Sequence, residues 1–234
     1  MLKSPASVNC GGIVGYAYEG GEPCAVCGHR LPDNADNPKP ACAFPDEILN
    51  TFLFLGSYDH TSRPEVLNIL KVSHIISLVP NMQDLYRNTY NYYHVDGGPL
   101  TIEAVEKLVA LIEKLRRNHA GGAAEPNGGA APGRHGRAVL VHCMTARSKS
   151  PAIVAAYLMR AFGWTVGDAV AFMARKRTSR EVALMDEHRA LLESWQAHLQ
   201  QIPDFQPLIP NGPEAYERLQ AVGLGWNNGN TYDM

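Results

Sequence analysis

The sequence predicts an α/β domain in which a central, mostly parallel sheet is flanked by helices. Strand-like and helix-like segments alternate along the first half of the chain, whereas only helical patterns follow the last predicted strand. A hydrophobic content of 45% in 234 residues is enough to form a core, and a charged fraction of 19% argues against a largely disordered chain. We expect one domain at 43–200, preceded by a small irregular cysteine-containing appendage at 1–42 and followed by a weakly structured tail at 201–234.

Four segments are typical of strands. Residues 47–55 (EILNTFLFL) are apolar and aromatic up to Gly56, which ends the pattern. Residues 74–79 and 90–95 are rich in β-branched and aromatic side chains. Residues 138–142 (AVLVH) are almost continuously apolar, which is typical of a strand that is buried on both faces.

The helix predictions rest on apolar residues at helical spacing and on capping residues. Thr101 can cap a long amphipathic helix, and Thr165 with Asp168 forms a capping box at the start of another. The predicted helices cover 63–70, 101–117, 150–162, 165–175 and 185–200. Residues 118–136 (NHAGGAAEPNGGAAPGRHG) contain no core-forming side chain, so we interpret them as a flexible surface insertion into the domain.

Cys143 lies between the buried strand at 138–142 and an apolar helix that has Pro151 in its first turn. A loop that joins a strand to a helix presents backbone N–H groups at the positive end of the helix dipole, which favours binding of a phosphate dianion. The same dipoles would stabilise a thiolate at Cys143. Such a thiolate could attack the phosphorus of a bound ester and form a phosphocysteine that water hydrolyses. Taken alone, the cysteine would be better explained as a buried residue at a strand end.

The string from His142 to Ser150 (HCMTARSKS) resembles the signature of protein tyrosine and dual-specificity phosphatases, in which His-Cys is followed by five residues, an arginine and a hydroxyl residue. Residues 44–57 and 150–159 are similar to the opening strand and to the helix after the loop in that family. CAVCGHRLP at 24–32 is similar to a plant branch of it. The resemblance implies a protein tyrosine phosphatase-like fold of the dual-specificity type. It also implies hydrolysis of phosphotyrosine, with phosphoserine and phosphothreonine as further candidates.

Position by position, the resemblance gives Cys143 the role of nucleophile and Asp96 the role of general acid. Ser150 would assist departure of the cysteine from the intermediate, and His142 would hold the loop and help to stabilise the thiolate. The backbone that cradles the phosphoryl oxygens would come from Met144, Thr145, Ala146, Arg147 and Ser148. A turn or cap role remains an alternative for Asp96, and Asp84 is a second candidate acid on another loop.

The chain departs from the family at Lys149, where the signature has arginine. A guanidinium holds two phosphoryl oxygens in a planar fork, whereas an ammonium is a flexible point charge. Loss of one preorganised anion contact typically costs about 2.7–4 kcal/mol, or roughly 10²–10³ in rate. We therefore expect phosphate binding with reduced turnover. The alternative is a pseudophosphatase that binds phosphoproteins as a signalling scaffold; another cysteine-loop fold, such as a sulfurtransferase, fits less well.

Two further departures concern the backbone of the site. Ala146 stands where the family usually has glycine, so its Cβ could restrict a backbone angle that glycine tolerates. The segment that follows Asp96, from Gly97 to Pro99, is shorter than the family's acid loop. The sequence therefore leaves open whether the Asp96 carboxylate reaches the phosphate-binding loop.

The five cysteines, without an evident export signal, predict free thiols, a metal site or a reactive cysteine rather than disulfides. Cys24 and Cys27 have the spacing of a zinc knuckle. Cys10 together with either His29 or Cys42 could complete four ligands. The segment therefore predicts either a structural zinc site or a degenerate knuckle, and the proposed catalysis requires no cofactor.

The formal net charge of −2 gives no electrostatic case for nucleic acid, and no apolar run is long enough to cross a membrane. Without a secretory signal, an intracellular protein of the cytoplasm or nucleus is expected. The resemblance implies a phosphoprotein substrate, with a mitogen-activated protein kinase as one candidate partner. Residues 175–180 (RKRTSR) carry four positive charges, which fits a solvated helix end or a docking patch for an acidic phosphoprotein.

Overall fold

The computed structural model describes residues 44–95, 98–120, 138–177, 181–209 and 212. Within these ranges the chain forms five strands and six helices. In chain order they are β1 Asp46–Leu49, β2 Leu53–Ser57, α1 Tyr58–Thr61, α2 Pro64–Ile69, β3 Val72–Ser77, β4 Asn91–His94, α3 Ile102–Ala120, β5 Ala138–Cys143, α4 Lys149–Phe162, α5 Val166–Lys176 and α6 Asp186–Gln200.

The strands form one sheet in the order β1-β2-β5-β3-β4. Strand β5 lies at the centre and pairs in parallel with β2 and β3, while β4 pairs in parallel with β3. Only β1 is antiparallel to its neighbour, so the predicted mostly parallel sheet is confirmed. Ligands of such sheets bind beyond the carboxyl ends of the strands, which is where β5 ends at Cys143.

Helix α4 occupies the centre of the core. Twelve of its fourteen residues are buried, which is typical of a helix that is covered on all sides. It contacts β2 and β5 of the sheet, and α3, α5 and α6 pack against it. This packing fixes the beginning of α4 directly after the loop that follows Cys143. No helix among the described residues is long and apolar enough to cross a membrane.

The single strand predicted at 47–55 is wrong, because this segment contains two strands that run in opposite directions. A turn at Asn50–Phe52 separates β1 from β2, with Thr51 at φ 57° and the Phe52 amide bonded to the Leu49 carbonyl at 3.1 Å. Strand β2 is buried at every position and β1 at three of its four. Because both strands lie in the interior, the apolar run shows no change of pattern where the chain reverses.

The remaining element predictions agree closely with the structure. The capping box of Thr165 and Asp168 is present at the start of α5. Helix α3 continues to Ala120, three residues into the segment predicted as an insertion at 118–136. Asn118 and His119 are polar but still helical, and His119 lies in the last turn of α3, so the polar composition of the segment placed the boundary too early. The rest of the insertion, from 121 onward, lies outside the described residues.

Candidate active site

Cys143 is the last residue of β5 and is 6% exposed, with its thiol at the floor of the loop. The hydroxyl of Ser150, which is fully buried in the first turn of α4, donates a hydrogen bond to Cys143 Sγ at 3.1 Å. The strand end and the helix start therefore place these two predicted residues in direct contact. A hydroxyl donor at this position can stabilise negative charge on the sulfur.

The loop at 144–148 is held by its carbonyl groups. The Met144 carbonyl accepts from the Tyr58 amide at 3.3 Å, the Ala146 carbonyl from Arg177 Nη1 at 2.7 Å, and the Arg147 carbonyl from the Ala183 amide at 2.9 Å. Across a trans peptide the carbonyl and the following N–H point in opposite directions, and the described residues contain no cis bond. The N–H groups of these three peptides therefore lie on the side opposite to the bonded carbonyls, which is an arrangement that an anion-binding loop can use.

Ala146 adopts the left-handed conformation, with φ 57°, and is 2% exposed. This conformation costs a residue with a Cβ roughly 1–2 kcal/mol, whereas glycine adopts it freely. The backbone angle expected to favour glycine at this position is therefore present. The Arg177 hydrogen bond to its carbonyl helps to hold the angle in spite of the methyl group.

His142 lies beneath the loop with no exposed surface. Among the described residues neither of its ring nitrogens has a hydrogen-bond partner. The pKa of His142 is lowered to about 3, mainly by burial; the backbone of Cys143 opposes part of this effect, and the nearby His60 and His94 contribute to the lowering. The ring is therefore neutral at pH 7, so any stabilisation of the thiolate by His142 comes without a positive charge.

A cleft of about 510 Å³ opens above Cys143. One wall consists of Leu78 and Pro80 after β3, and a second of residues 98–100 before α3. The opposite wall comes from the beginning of α6 and the residue before it. The residues that line the cleft on this wall are Met185, Glu187, His188 and Leu191. Most of these side chains are apolar, so the cleft is suited to a phosphate ester with an apolar body.

Lys149 lines this cleft as the first residue of α4. Its Nζ lies 3.5 Å from the carbonyl oxygen of Gly98, at the outer limit of a hydrogen bond. Among the described lining residues it is the only lysine or arginine, and the exposed Arg147 is not among them. Arg147 therefore supplies no second positive charge to the lining of this cleft.

The predicted general acid, Asp96, lies outside the described residues, so its role stays a prediction. The second candidate, Asp84, pairs with His94 and lies 3.4 Å from Arg87 Nε. It is not among the residues that line the Cys143 cleft. Its carboxylate thus fits a surface ion-pair role better than that of an acid.

The position of Arg177 shows that the interpretation of the basic segment 175–180 is wrong for this residue. Its guanidinium is 1% exposed, donates to Asp46 Oδ2 at 2.8 Å and also bonds to the loop. Its charge is consequently internal and cannot serve a docking patch. Sequence reasoning missed this role because Asp46 lies 131 positions away, and no local pattern links the two residues.

The cysteines and histidine predicted as zinc ligands (Cys10, Cys24, Cys27, His29 and Cys42) lie outside the described residues. Within the part of the chain that the structure describes, no group of three or more histidine, cysteine or acidic residues is arranged to hold a metal ion. The zinc site therefore stays a prediction about the first 42 residues.

Residues 130–197 match the family described as dual specificity phosphatase, catalytic domain. The protein-tyrosine-phosphatase IBR5 of Arabidopsis thaliana is 34% identical over 180 residues, which are 69% of this chain and 63% of that protein. Dual specificity protein phosphatase 1 of the same plant is 28% identical over 134 residues, or 56% of this chain and 59% of that protein. The chain thus spans less than two thirds of the length of these relatives, and the resemblance to the family is confirmed.

Solved structures show the same fold. A mouse dual specificity phosphatase complexed with zinc tungstate has a TM-score of 0.56 at 19% identity, covering 76% of this chain and 99% of its own. The human tyrosine phosphatase-like serine/threonine/tyrosine-interacting protein has a TM-score of 0.52 at 23% identity, covering 67% and 98%. At these identities the likeness concerns the fold alone, and it confirms the predicted protein tyrosine phosphatase-like architecture.

Proposed function

Because the chain belongs to the dual-specificity phosphatase family, we propose that it hydrolyses phosphotyrosine in proteins through a phosphocysteine on Cys143. Phosphoserine and phosphothreonine are further candidate substrates. The observation that carries this proposal is the position of the Cys143 thiol, in contact with the Ser150 hydroxyl at the floor of an anion-binding loop. A phosphoprotein is the proposed partner, and a mitogen-activated protein kinase is one candidate.

In the proposed reaction the Cys143 thiolate attacks phosphorus, so a phosphorus–sulfur bond forms as the ester phosphorus–oxygen bond breaks. Asp96 would supply a proton to the departing phenolate oxygen. A water molecule then attacks the phosphocysteine, which releases inorganic phosphate and returns the electron pair to sulfur. The Ser150 hydroxyl, 3.1 Å from Sγ, would stabilise the departing thiolate in this second step.

Lys149 is the reason to propose reduced turnover. Its ammonium is a single point charge that reaches toward the Gly98 carbonyl, and no other described lysine or arginine lines the cleft. The same observation favours a second candidate function, in which the loop binds phosphoproteins without useful hydrolysis. The two functions differ only in the rate of the chemical step, so they are separated by kinetics.

The test compares turnover of p-nitrophenyl phosphate by the wild type, Lys149→Arg and Cys143→Ser. We expect the wild type to hydrolyse the substrate faster than Cys143→Ser does. Lys149→Arg should raise the rate by roughly 10²–10³-fold over the wild type. Lys107→Arg, on an exposed position of α3, is the matched control and should leave the rate unchanged.

Three results would change the proposal. If the wild type equals Cys143→Ser while Lys149→Arg gains activity, the binding function replaces the enzymatic one. If all three proteins are inactive, Lys149 is not the only impediment and the loop around Asp96 becomes the cause to examine. Activity that persists in Cys143→Ser would exclude a phosphocysteine altogether.

A structural zinc ion held by Cys10, Cys24, Cys27 and either His29 or Cys42 is a further proposal for the first 42 residues. Elemental analysis of the full chain should then give about one zinc per molecule, and Cys24→Ser should lower that content. A folded, zinc-free wild type would contradict it.

A further inference from the structure

Ser148 occupies the N-cap position of α4 but makes no side-chain hydrogen bond to the helix. Serine is favoured at this position because its hydroxyl oxygen accepts from the backbone N–H two or three residues later. Here the third helical residue is Pro151, which has no N–H, so only the Ser150 amide is within the usual reach of a cap. The Ser148 hydroxyl is turned away from that amide.

Two groups at the beginning of α6, one from its N-cap residue and one from its first turn, hold the Ser148 hydroxyl in this orientation. Its oxygen accepts from the Met185 amide at 2.8 Å and lies 2.7 Å from His188 Nδ1. His188 is 6% exposed and lies 40 positions further along the chain. Since Met185 already donates to the oxygen, the hydroxyl proton is available for donation to His188.

The neighbours of His188 are consistent with this direction of donation. Its Nε2 lies 3.6 Å from Glu187 Oε1, where a proton on Nε2 would face a carboxylate and leave Nδ1 as an acceptor. Burial lowers the pKa of His188; Glu187 raises it and Lys149 lowers it further. A neutral ring with the proton on Nε2 agrees with both the Ser148 contact and the position of Glu187.

We propose that His188 is a positioning residue that keeps the Ser148 hydroxyl off the beginning of α4, so that the helix N–H groups remain free for phosphoryl oxygens. The inference rests on the proposed function, because it takes the loop at 143–150 as the phosphoryl site. It adds a residue from α6 to that site, far from the signature in sequence. His188 also lines the cleft, but in this role it acts through Ser148 and not through contact with the phosphoryl group.

Without the His188 acceptor, the Ser148 hydroxyl can rotate and cap the Ser150 amide, where it competes with the bound oxyanion. An N-cap contact is typically worth enough to weaken anion binding by about fivefold. Removal of the competing Ser148 hydroxyl should therefore restore the anion binding that is lost when His188 is replaced. It would not restore binding that is lost because the fold is damaged, and this difference separates a positioning role from a merely structural one.

The experiment measures the dissociation constant of tungstate, an inorganic phosphate mimic, by calorimetry on the full chain. We expect His188→Leu to bind about fivefold more weakly than the wild type. His188→Asn, which keeps an acceptor near the position of Nδ1, should bind nearly as the wild type does. The double variant His188→Leu/Ser148→Ala should regain most of the affinity. His198→Asn, on the same helix but away from the cleft, is the control and should not change it.

The inference is overturned if His188→Leu binds tungstate as tightly as the wild type, or if Ser148→Ala does not restore the affinity of a folded His188→Leu protein. A wild type that binds tungstate but does not hydrolyse p-nitrophenyl phosphate refutes only the proposed enzymatic function. Failure of the wild type to bind tungstate at all would refute both. Where turnover is measurable, His188→Leu should raise KM more than it lowers kcat.

Discussion

Replacing Arg177 by methionine removes a buried ion pair that connects β1 with the phosphate loop. The Arg177 Nε and Asp46 Oδ2 atoms are 2.8 Å apart, and the two side chains are 1% and 4% exposed. Loss of one partner from a buried pair typically costs about 3–5 kcal/mol, because the remaining buried charge loses its oppositely charged neighbour. We expect the free energy of unfolding, measured with urea at pH 7, to fall by about 4 kcal/mol.

The physical cause can be separated from simple loss of packing by a double variant. In Asp46→Leu/Arg177→Met no buried charge remains, so this protein should be more stable than Arg177→Met alone. Arg175→Met is the matched control, since Arg175 is exposed and its change should cost less than about 1 kcal/mol. The reasoning is refuted if Arg177→Met loses no more stability than Arg175→Met, or if the losses of the single variants simply add.

Two further predictions concern the residues beneath and within the loop. The folded-state pKa of His142 is about 3 against an ordinary value of 6.5. Stability conferred by the neutral ring is therefore complete above pH 6.5 and is lost as the pH falls toward 3, by about 1.4 kcal/mol per pH unit. Urea unfolding between pH 7 and 4 should show a shallower loss for His142→Leu than for the wild type, and equal slopes would contradict the assignment. Ala146→Gly removes the left-handed strain at φ 57° and should raise the free energy of unfolding at pH 7 by about 1 kcal/mol. A less stable Ala146→Gly protein would show that the buried methyl group contributes more than the strain costs.

The central part of the fold could be predicted because its signals are local. Strand β5 is a continuous apolar run, and α5 begins with a capping box that two neighbouring side chains form. The contact between Cys143 and Ser150 follows from a strand end, a loop of fixed length and a helix start. Each of these features depends on residues within about ten positions of one another.

The features that could not be predicted are contacts between residues far apart in the sequence and a reversal of the chain inside an apolar segment. Arg177 and Asp46 meet across the domain, and Ser148 meets His188 only because α6 packs beside α4. Nothing in the spacing of these residues distinguishes them from other polar residues at helix ends. The turn between β1 and β2 could not be predicted for a different reason, since both strands are mostly buried and neither alternates regularly between polar and apolar residues.

The two departures in the loop have different consequences for the proposed reaction. The strain at Ala146 is held by the Arg177 hydrogen bond to its carbonyl, so the shape of the loop is preserved. The missing guanidinium at Lys149 has no such compensation among the described residues of the cleft. Binding of the phosphate ester should therefore be less affected than the transition state, in which the equatorial oxygens are best matched by a planar fork. In p-nitrophenyl phosphate kinetics Lys149→Arg should raise kcat by a larger factor than it lowers KM. A variant that lowers KM alone would show instead that Lys149 limits binding and not the chemical step.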